Sequence, residues 1–236
     1  MTAPGLWLLP VSLGGTDWPA WLPPVEREVA CRIRHFIAEN AKSARAELKR
    51  MGHPLPVREL EITQLPRDPG RDEIDALLAP LCKGHDVALM SEAGCPAVAD
   101  PGARVVARAH ERGMAVRPMV GPSSILLTLM ASGLDGQRFA FHGYLPTQPE
   151  QRLKRVVELE RESATQRQTQ LFIETPYRND AMFRTLLDAL KPDTRLCIAT
   201  DLTMPSQSIV TRRRADWQAT SAPLLDRRPT VYALLA

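Results

Sequence analysis

The chain has 236 residues, of which 44% are hydrophobic and 24% charged, a composition typical of a globular protein with one large domain or two smaller ones. The net charge is only +3, and basic residues cluster only in the short runs 212–214 and 227–228. Such a weak bias allows contact with a polyanion without requiring it.

The cysteines and the N-terminal segment indicate whether the protein is metal-binding, disulfide-rich or membrane-spanning. The four cysteines form no CxxC pair and have no histidine at metal spacing, so we expect neither a metal site nor a disulfide framework. The apolar stretch near the N-terminus is too short to span a bilayer and lacks a preceding basic segment. These features predict a reduced, soluble, cytoplasmic protein without a membrane partner.

In the first half of the chain, short apolar runs alternate with helical periodicity. Strands are predicted at "GLWLLPV", "HFIAE", "RELEITQL", "DVALM" and "AVRPMV", with helices between them at "PPVEREVACRIR", "NAKSARAELKRMG", "GRDEIDALLAPLCKG" and "ARVVARAHERG". Asn40 is expected to cap the second helix and Gly52 to end it. The repeated strand–helix order predicts a parallel sheet with helices on both faces.

The second half starts a new series. After a short helix in "GPSSILLTLMASG", strands are predicted at "RFAFHGYLP", "TQLFIE", "RLCIATDL", "QSIVTRRR" and "RPTVYALLA", and longer helices at "EQRLKRVVELERESA" and "RNDAMFRTLLDALK". The last three strands lie so close together that an antiparallel component is expected. We therefore predict two α/β domains, residues 1–120 with a mainly parallel sheet and residues 121–236 with a mixed one.

Several familiar nucleotide-binding and catalytic motifs are missing. The first predicted strand is followed by "PVSLGGTDW", which offers only Gly14 and Gly15 in place of GxGxxG, and the sequence contains neither GxxxxGK[ST] nor GxSxG. The usual doubly wound dinucleotide site, the phosphate-binding P-loop and the nucleophile elbow are therefore disfavoured.

Small residues instead follow three of the predicted strands. The segments are "SEAGCPAVADPG", "GPSS" and "ETPYRN", and the first is longer than the two to six residues that usually join a strand to a helix. Small residues let backbone groups approach a flat polar ligand such as a nucleoside. Asp100, near the end of the first segment, is expected to cap the helix that follows.

These segments carry a resemblance to a known family. "SEAGCPAVADPG", "GPSSILLTLMASGL", "RFAFHGYLP" and "LFIETPYR" resemble, in this order, four motifs of the tetrapyrrole methylase superfamily, and most closely those of its ribosomal RNA 2′-O-ribose methyltransferase branch. The resemblance runs from about Asp86 to Arg178 and continues more weakly to the last strand.

The resemblance implies a homodimeric methyltransferase of two α/β domains with S-adenosylmethionine in the cleft between them. Matched position by position, it implies that the cofactor is contacted by Leu9, Pro10, Gly94, Cys95, Val98, Ser123, Ser124, Phe172, Ile173 and Thr230. Cys95 stands where the family usually has threonine, so it is interpreted as a lining residue and not as a reactive thiol.

The catalytic prediction rests on charged residues at the same strand ends. A hydroxyl acceptor needs help in losing its proton, and Glu174, Glu39 and Glu92 are candidates for the base, while Arg178 and Lys42 are candidates for holding a phosphate. A surface ion pair or a helix cap is an equally good interpretation of each. Glu174 and Arg178 come first because they lie inside a matched motif, and Glu39 follows.

The sequence departs from the RNA branch on segments expected to face the substrate. The first loop lacks the asparagine of the branch, and residues 39–42, "ENAK", replace its E-D-T-R. The leading hypothesis is an S-adenosylmethionine-dependent methyltransferase acting on a ribose 2′-hydroxyl of small-subunit ribosomal RNA. A methylase of a small molecule or tetrapyrrole, and a cofactor-binding paralogue without turnover, remain as alternatives.

Overall fold

Two five-stranded sheets organise the protein, one in each of two units, Met1–Ser123 and Ser124–Ala236. The computed structural model describes residues 3–14, 16–220 and 222–236. Gly15, the second glycine of the first loop, therefore lies outside the described residues. Within the described ranges, no helix combines the length and the apolar character needed to cross a bilayer.

The first sheet is entirely parallel, as predicted. Its strands are β1 (Gly5–Leu8), β2 (His35–Ala38), β3 (Glu61–Gln64), β4 (Val87–Met90) and β5 (Ala115–Pro118), in the spatial order β3-β2-β4-β1-β5. The helices of this unit are α1 (Pro24–Ala30), α2 (Ala41–Arg50), α3 (Arg71–Cys82) and α4 (Ala103–Glu111). All four residues of β4 are buried, which explains why this strand is a continuous apolar run.

The alternation of side chains along these strands divides the first unit into two cores. Phe36 and Ala88 pack with buried residues of α1 and α2 on one face, whereas Ile37 and Leu89 pack with α3 and α4 on the other. Helices therefore cover both faces of the sheet, and the loops at its carboxyl edge occupy the place where open α/β sheets commonly bind ligands.

The second sheet is mixed, which confirms the second part of the fold prediction. Its strands are β6 (Phe139–Tyr144), β7 (Thr169–Glu174), β8 (Arg195–Thr200), β9 (Ser208–Arg213) and β10 (Thr230–Leu235), in the order β6-β7-β10-β8-β9. Only β6 and β7 pair in parallel, and the other three pairings are antiparallel. The helices of this unit are α5 (Ser124–Ser132), α6 (Pro149–Gln166), α7 (Asn179–Ala189) and α8 (Arg214–Gln218).

The core of the second unit lies on both sides of this sheet. Phe172 of β7 and Tyr232 of β10 are fully buried and stack with their ring centroids 5.4 Å apart. They belong to the larger cluster, which includes residues of α6 and α7 and also Trp217 of α8. On the opposite face, α5 packs on Leu171 and Cys197.

Two predicted helix boundaries have different outcomes. Asn40 caps α2 as expected, since its side chain accepts a hydrogen bond of 2.9 Å from the Lys42 N–H. The prediction that Asp100 caps α4 is wrong. Gly102 occupies the capping position with φ +129°, while the Asp100 carboxylate lies beside the Ser91 side chain. Glycine is favoured at residue 102 because other residues rarely adopt this φ, and a Cβ there would also meet Leu89 Cδ2 at 2.8 Å, so that this side chain would have to shift.

Candidate functional site

The carboxyl edge of the first sheet brings together the loops that follow β1, β2, β4 and β5. Backbone hydrogen bonds extend the pairing beyond the strands: the Leu9 N–H donates to Leu89 O at 2.9 Å, and the Glu39 N–H donates to Met90 O at 3.2 Å. The structure thus places Leu9, Pro10 and Glu39, all predicted from the sequence, at one edge of one sheet.

Gly94, in the loop after β4, forms two backbone hydrogen bonds with Val11 in the loop after β1. Its N–H donates to Val11 O at 3.0 Å, and its carbonyl accepts from the Val11 N–H at 2.9 Å. Its φ is +73°, and a Cβ at this position would lie 3.3 Å from Leu13 Cδ2 and 3.5 Å from Pro122 O. Both the conformation and the limited space therefore favour glycine here.

The neighbouring predicted residues differ in their exposure. The Cys95 thiol donates to Pro122 O at 3.3 Å, and burial raises its pKa. A thiol with a raised pKa stays protonated at neutral pH and is a poor nucleophile, which supports the interpretation of Cys95 as a lining residue. Val98 is about half exposed, with 48% of its surface accessible.

Three carboxylates meet at this edge of the first unit. The pKa of Glu39 is raised by burial and then by the charges of Asp100 and Glu92, although the Glu92 backbone N–H donates to it. The pKa of Asp100 is also raised, first by burial. Glu39 Oε2 is buried and has no hydrogen-bond partner among the described residues. A carboxylate in such surroundings is a stronger base than an exposed one.

A second polar group in this unit was not predicted. Glu47 of α2 is 5% exposed, and its carboxylate accepts from the Ser12 N–H at 3.2 Å and from Arg50 Nη1 at 2.9 Å. Arg50 Nη1 also donates to Ser12 Oγ at 3.2 Å. The sequence signal that could have revealed this group is the position of Glu47, an acid on the apolar stripe of α2, three residues after the buried Ala44 and next to the buried Leu48.

In the second unit, Glu174 and Arg178 form an ion pair at the end of β7. The Glu174 side chain has no exposed surface, and its Oε1 accepts from Arg178 Nη2 at 2.6 Å, from Arg178 Nε at 2.9 Å and from the Thr175 N–H at 2.6 Å. Glu174 Oε2 is buried without a hydrogen-bond partner in the described part of the chain. This pair fixes the one-turn 3₁₀ helix Pro176–Arg178.

The other predicted residues of this unit contribute mainly to its framework. Phe172 buries its ring against Tyr232, whose pKa is raised well above its usual range by burial and then by the charges of Glu174 and Asp180. Thr230 lies opposite Glu174 in the sheet register, and its Oγ1 accepts from Asn179 Nδ2 at 3.1 Å. Ile173 is half-buried.

The two predicted serines lie where the units divide along the chain. Ser123 is the last residue of the first unit, and Ser124 is the first residue of α5. Both are half-buried. As for metals, no group of three or more histidine, cysteine, aspartate or glutamate side chains in the described ranges is suited to hold an ion.

The chain belongs to the family of tetrapyrrole (corrin/porphyrin) methylases, whose pattern matches residues 27–216. The family prediction is therefore confirmed.

Among individual proteins, the chain is similar to ribosomal RNA small subunit methyltransferase I of Mesorhizobium japonicum, with 40% identity over 127 residues, or 54% of this chain and 42% of the relative. The protein of the same name from Vibrio cholerae is 31% identical over 139 residues, which cover 59% and 47% of the two chains. The chain thus spans about half the length of the relatives it matches.

Solved structures support the fold. The methyltransferase CobJ matches with a TM-score of 0.63 over 98% of this chain and 94% of its own, at 16% identity. Uroporphyrin-III-C-methyltransferase from Thermus thermophilus matches with a TM-score of 0.55 over 99% and 93%, also at 16% identity. At this identity the likeness concerns the fold alone, and it confirms the prediction of two α/β domains.

Proposed function

We propose that the protein is an S-adenosylmethionine-dependent methyltransferase that modifies a ribose 2′-hydroxyl of small-subunit ribosomal RNA. The observation that carries the proposal is the identity of 31–40% to proteins named ribosomal RNA small subunit methyltransferase I, within a family of methylases. The ribose hydroxyl comes from the resemblance of the four collinear motifs to the 2′-O-ribose branch.

In the first unit, we assign cofactor contacts to Leu9, Pro10, Gly94, Cys95 and Val98. The fit rests on the backbone at Gly94, where a Cβ would occupy space beside Leu13 and Pro122, and on the protonated thiol of Cys95. Neither feature needs a charged side chain, which agrees with a ligand recognised largely by backbone groups. In this unit Ser123 is the remaining contact that we assign.

In the second unit, we assign the cofactor contacts to Ser124, Phe172, Ile173 and Thr230. Phe172 is fully buried, with its ring stacked on that of Tyr232, so its assignment rests on the motif resemblance. S-adenosylmethionine supplies an activated methyl group on a sulfonium, and the task of the protein is to orient the acceptor in line with that group.

Glu39 is the residue to which we assign proton transfer. Its carboxylate lies at the carboxyl edge of the first sheet with those of Asp100 and Glu92, and it would accept the proton that the acceptor hydroxyl loses as its oxygen takes the methyl group from the sulfonium. The raised pKa of Glu39 strengthens it as a base. We assign a positioning role to Glu174 and Arg178, because four hydrogen bonds hold Glu174 Oε1 in the turn after β7.

The test separates cofactor binding from methyl transfer. Calorimetry with S-adenosylmethionine and S-adenosylhomocysteine measures the first. Incubation with methyl-labelled cofactor and small-subunit RNA from a methylase-deficient strain measures the second, and a precorrin-type tetrapyrrole serves as the competing acceptor. Label in the RNA, mapped to a ribose 2′-oxygen, is expected. Label in the tetrapyrrole alone would replace the proposed acceptor, and cofactor binding without label in either would indicate a protein without turnover.

A further inference from the structure

A partly open cavity of about 270 Å³, lined by both polar and apolar residues, lies in the first unit, beside the predicted cofactor loop. The first loop, α2 and residues 91–93 line it, and none of its walls comes from a residue that the sequence motifs assigned to the cofactor. Its size is close to the lower end of the range of about 300–1,000 Å³ for pockets that bind small ligands. A single heterocycle fits this volume, whereas a tetrapyrrole macrocycle does not.

One end of the cavity presents a guanidinium held in a fixed position. Arg50 Nη1 contacts both the Glu47 carboxylate and the Ser12 hydroxyl, and 32% of the Arg50 side chain is exposed. Nε and Nη2 of Arg50 have no hydrogen-bond partner among the residues that the structure describes. These nitrogens are a preorganised pair of donors for adjacent acceptors on a planar ligand.

The other end of the cavity presents an acceptor. Glu92 is exposed, and its Oε1 accepts from Ser43 Oγ at 3.3 Å. Ser43 and Arg50 are seven residues apart on α2, so their Cα atoms are separated by about 10 Å along the helix axis.

The charges of the cavity select the type of ligand. Glu47, Arg50 and Glu92 together carry one net negative charge, so a phosphate or a polycarboxylate is disfavoured. A neutral ring that offers acceptors to Arg50 and an amine to Glu92 satisfies both ends. Val11, Leu13 and Ala46 supply apolar surface for the faces of such a ring.

We propose that this cavity is a subsite for an unpaired nucleobase of the RNA substrate, with Arg50 donating to a carbonyl and the ring nitrogen adjacent to it and Glu92 accepting from an exocyclic amine. Bases that carry both a carbonyl and an amine, cytosine and guanine, are favoured over uracil, which has no amine, and over adenine, which has no carbonyl. The inference rests on the proposed RNA substrate. It makes Arg50 and Glu92 specificity-determining residues and Glu47 a positioning residue.

The experiment uses the whole chain and a matched set of nine-nucleotide RNAs, oligouridine with one central U, C, G or A, and measures binding by fluorescence anisotropy at fixed salt. For the unmodified protein we expect the RNAs with central C or G to bind about tenfold more tightly than oligouridine. Glu92→Gln replaces an acceptor by an amide that can donate to uracil, so it should remove this preference. Arg50→Lys should weaken binding of the C and G RNAs while keeping the charge beside Glu47.

The matched control is Arg45→Gln, because Arg45 is an exposed arginine of the same helix and does not line the cavity. Calorimetry with S-adenosylmethionine should give the same affinity for all these variants. Two outcomes would overturn the subsite: equal binding of all four RNAs, or a base preference that Glu92→Gln leaves intact. If small-subunit RNA is nevertheless methylated, the proposed function stands. If the protein binds the cofactor but neither methylates nor binds any RNA, both the subsite and the proposed RNA substrate are rejected.

Discussion

Glu39, to which we assign proton transfer, would link catalysis and stability in one side chain. Since its pKa in the folded protein is raised, the folded chain holds this proton more tightly than the unfolded chain does. The stabilising contribution is therefore complete below the ordinary pKa of 4.5 and is lost as the pH rises through the raised value. The two effects of Glu39 can be separated by one isosteric substitution.

Glu39→Gln should raise the melting temperature at about pH 8, where the parent carries the unfavourable charge, and should give little difference at about pH 4. The same variant should lower the methylation rate by about 10²- to 10⁴-fold, because no base remains to take the proton. Thermal melts at the two pH values and single-turnover assays measure these effects. A rate within threefold of the parent would exclude Glu39 as the base.

Gly94 permits a test in which backbone strain and ligand space are separated. Gly94→Val should cost about 1–2 kcal/mol of stability, because a branched side chain is strained at φ +73°, and it should weaken S-adenosylmethionine binding at least tenfold. Calorimetry measures the affinity, and urea denaturation measures the stability.

The control is Gly113→Val, because Gly113 has φ +65° and nothing lies within 4 Å of the Cβ that it would gain. We expect a comparable loss of stability with unchanged affinity. Equal loss of affinity in both variants would show that Gly94 acts through the backbone alone and does not border the cofactor.

At the scale of elements, Glu47 connects α2 to the first loop. Glu47→Ala would leave the buried Ser12 N–H without its partner and would release Arg50, so we expect the free energy of unfolding to fall by about 1–3 kcal/mol. Urea denaturation followed by circular dichroism measures this change. Glu28→Ala removes an exposed pair with Arg32 at 3.8 Å and should change stability by about 0.5 kcal/mol or less. Similar values for the two variants would mean that the Glu47 contacts contribute little.

Most elements could be predicted from the sequence because their signals are local. The buried run of β4, the apolar stripe of α2 and the Asn40 cap are each specified by neighbouring residues. The order of strands within each sheet has no such local signal, because it depends on pairings between distant segments. Asp100 shows the limit of a local rule, since a residue of the capping type near a helix start instead lies beside Ser91.

The candidate site, like the fold, could be predicted where its signals are local and not where they depend on contacts between distant segments. The position of Gly94 and Glu39 at one sheet edge could be predicted because the C-terminal ends of parallel strands share an edge, and the motif resemblance added the candidates of the second unit. The group formed by Ser12, Glu47 and Arg50 was missed, since its members come from a loop and a helix whose contact only the folded chain reveals. The raised pKa of Glu39 likewise arises from burial and from charges distant in sequence.

For the whole molecule, the cofactor should act as a thermal stabiliser. If S-adenosylmethionine binds only the folded chain, a concentration of 100 times its Kd should add about 2.7 kcal/mol of stability. The melting temperature should then rise steadily with ligand concentration in a thermal-shift titration. Free methionine, which lacks the nucleoside, is the control and should have no effect. A flat titration with the full cofactor would contradict the cofactor assignment.

The position of β10 has a consequence for how the protein is made. This strand, Thr230–Leu235, is the last of the second sheet in the chain, yet it lies at the centre of that sheet between β7 and β8. During synthesis, β7 and β8 therefore leave the ribosome well before the strand that pairs with both of them. The edges of β7 and β8 that face β10 therefore stay unpaired until residues 230–235 have left the ribosome, whereas every strand of the first sheet is complete by residue 118. Nascent chains are thus most exposed to aggregation late in their synthesis, in the second unit.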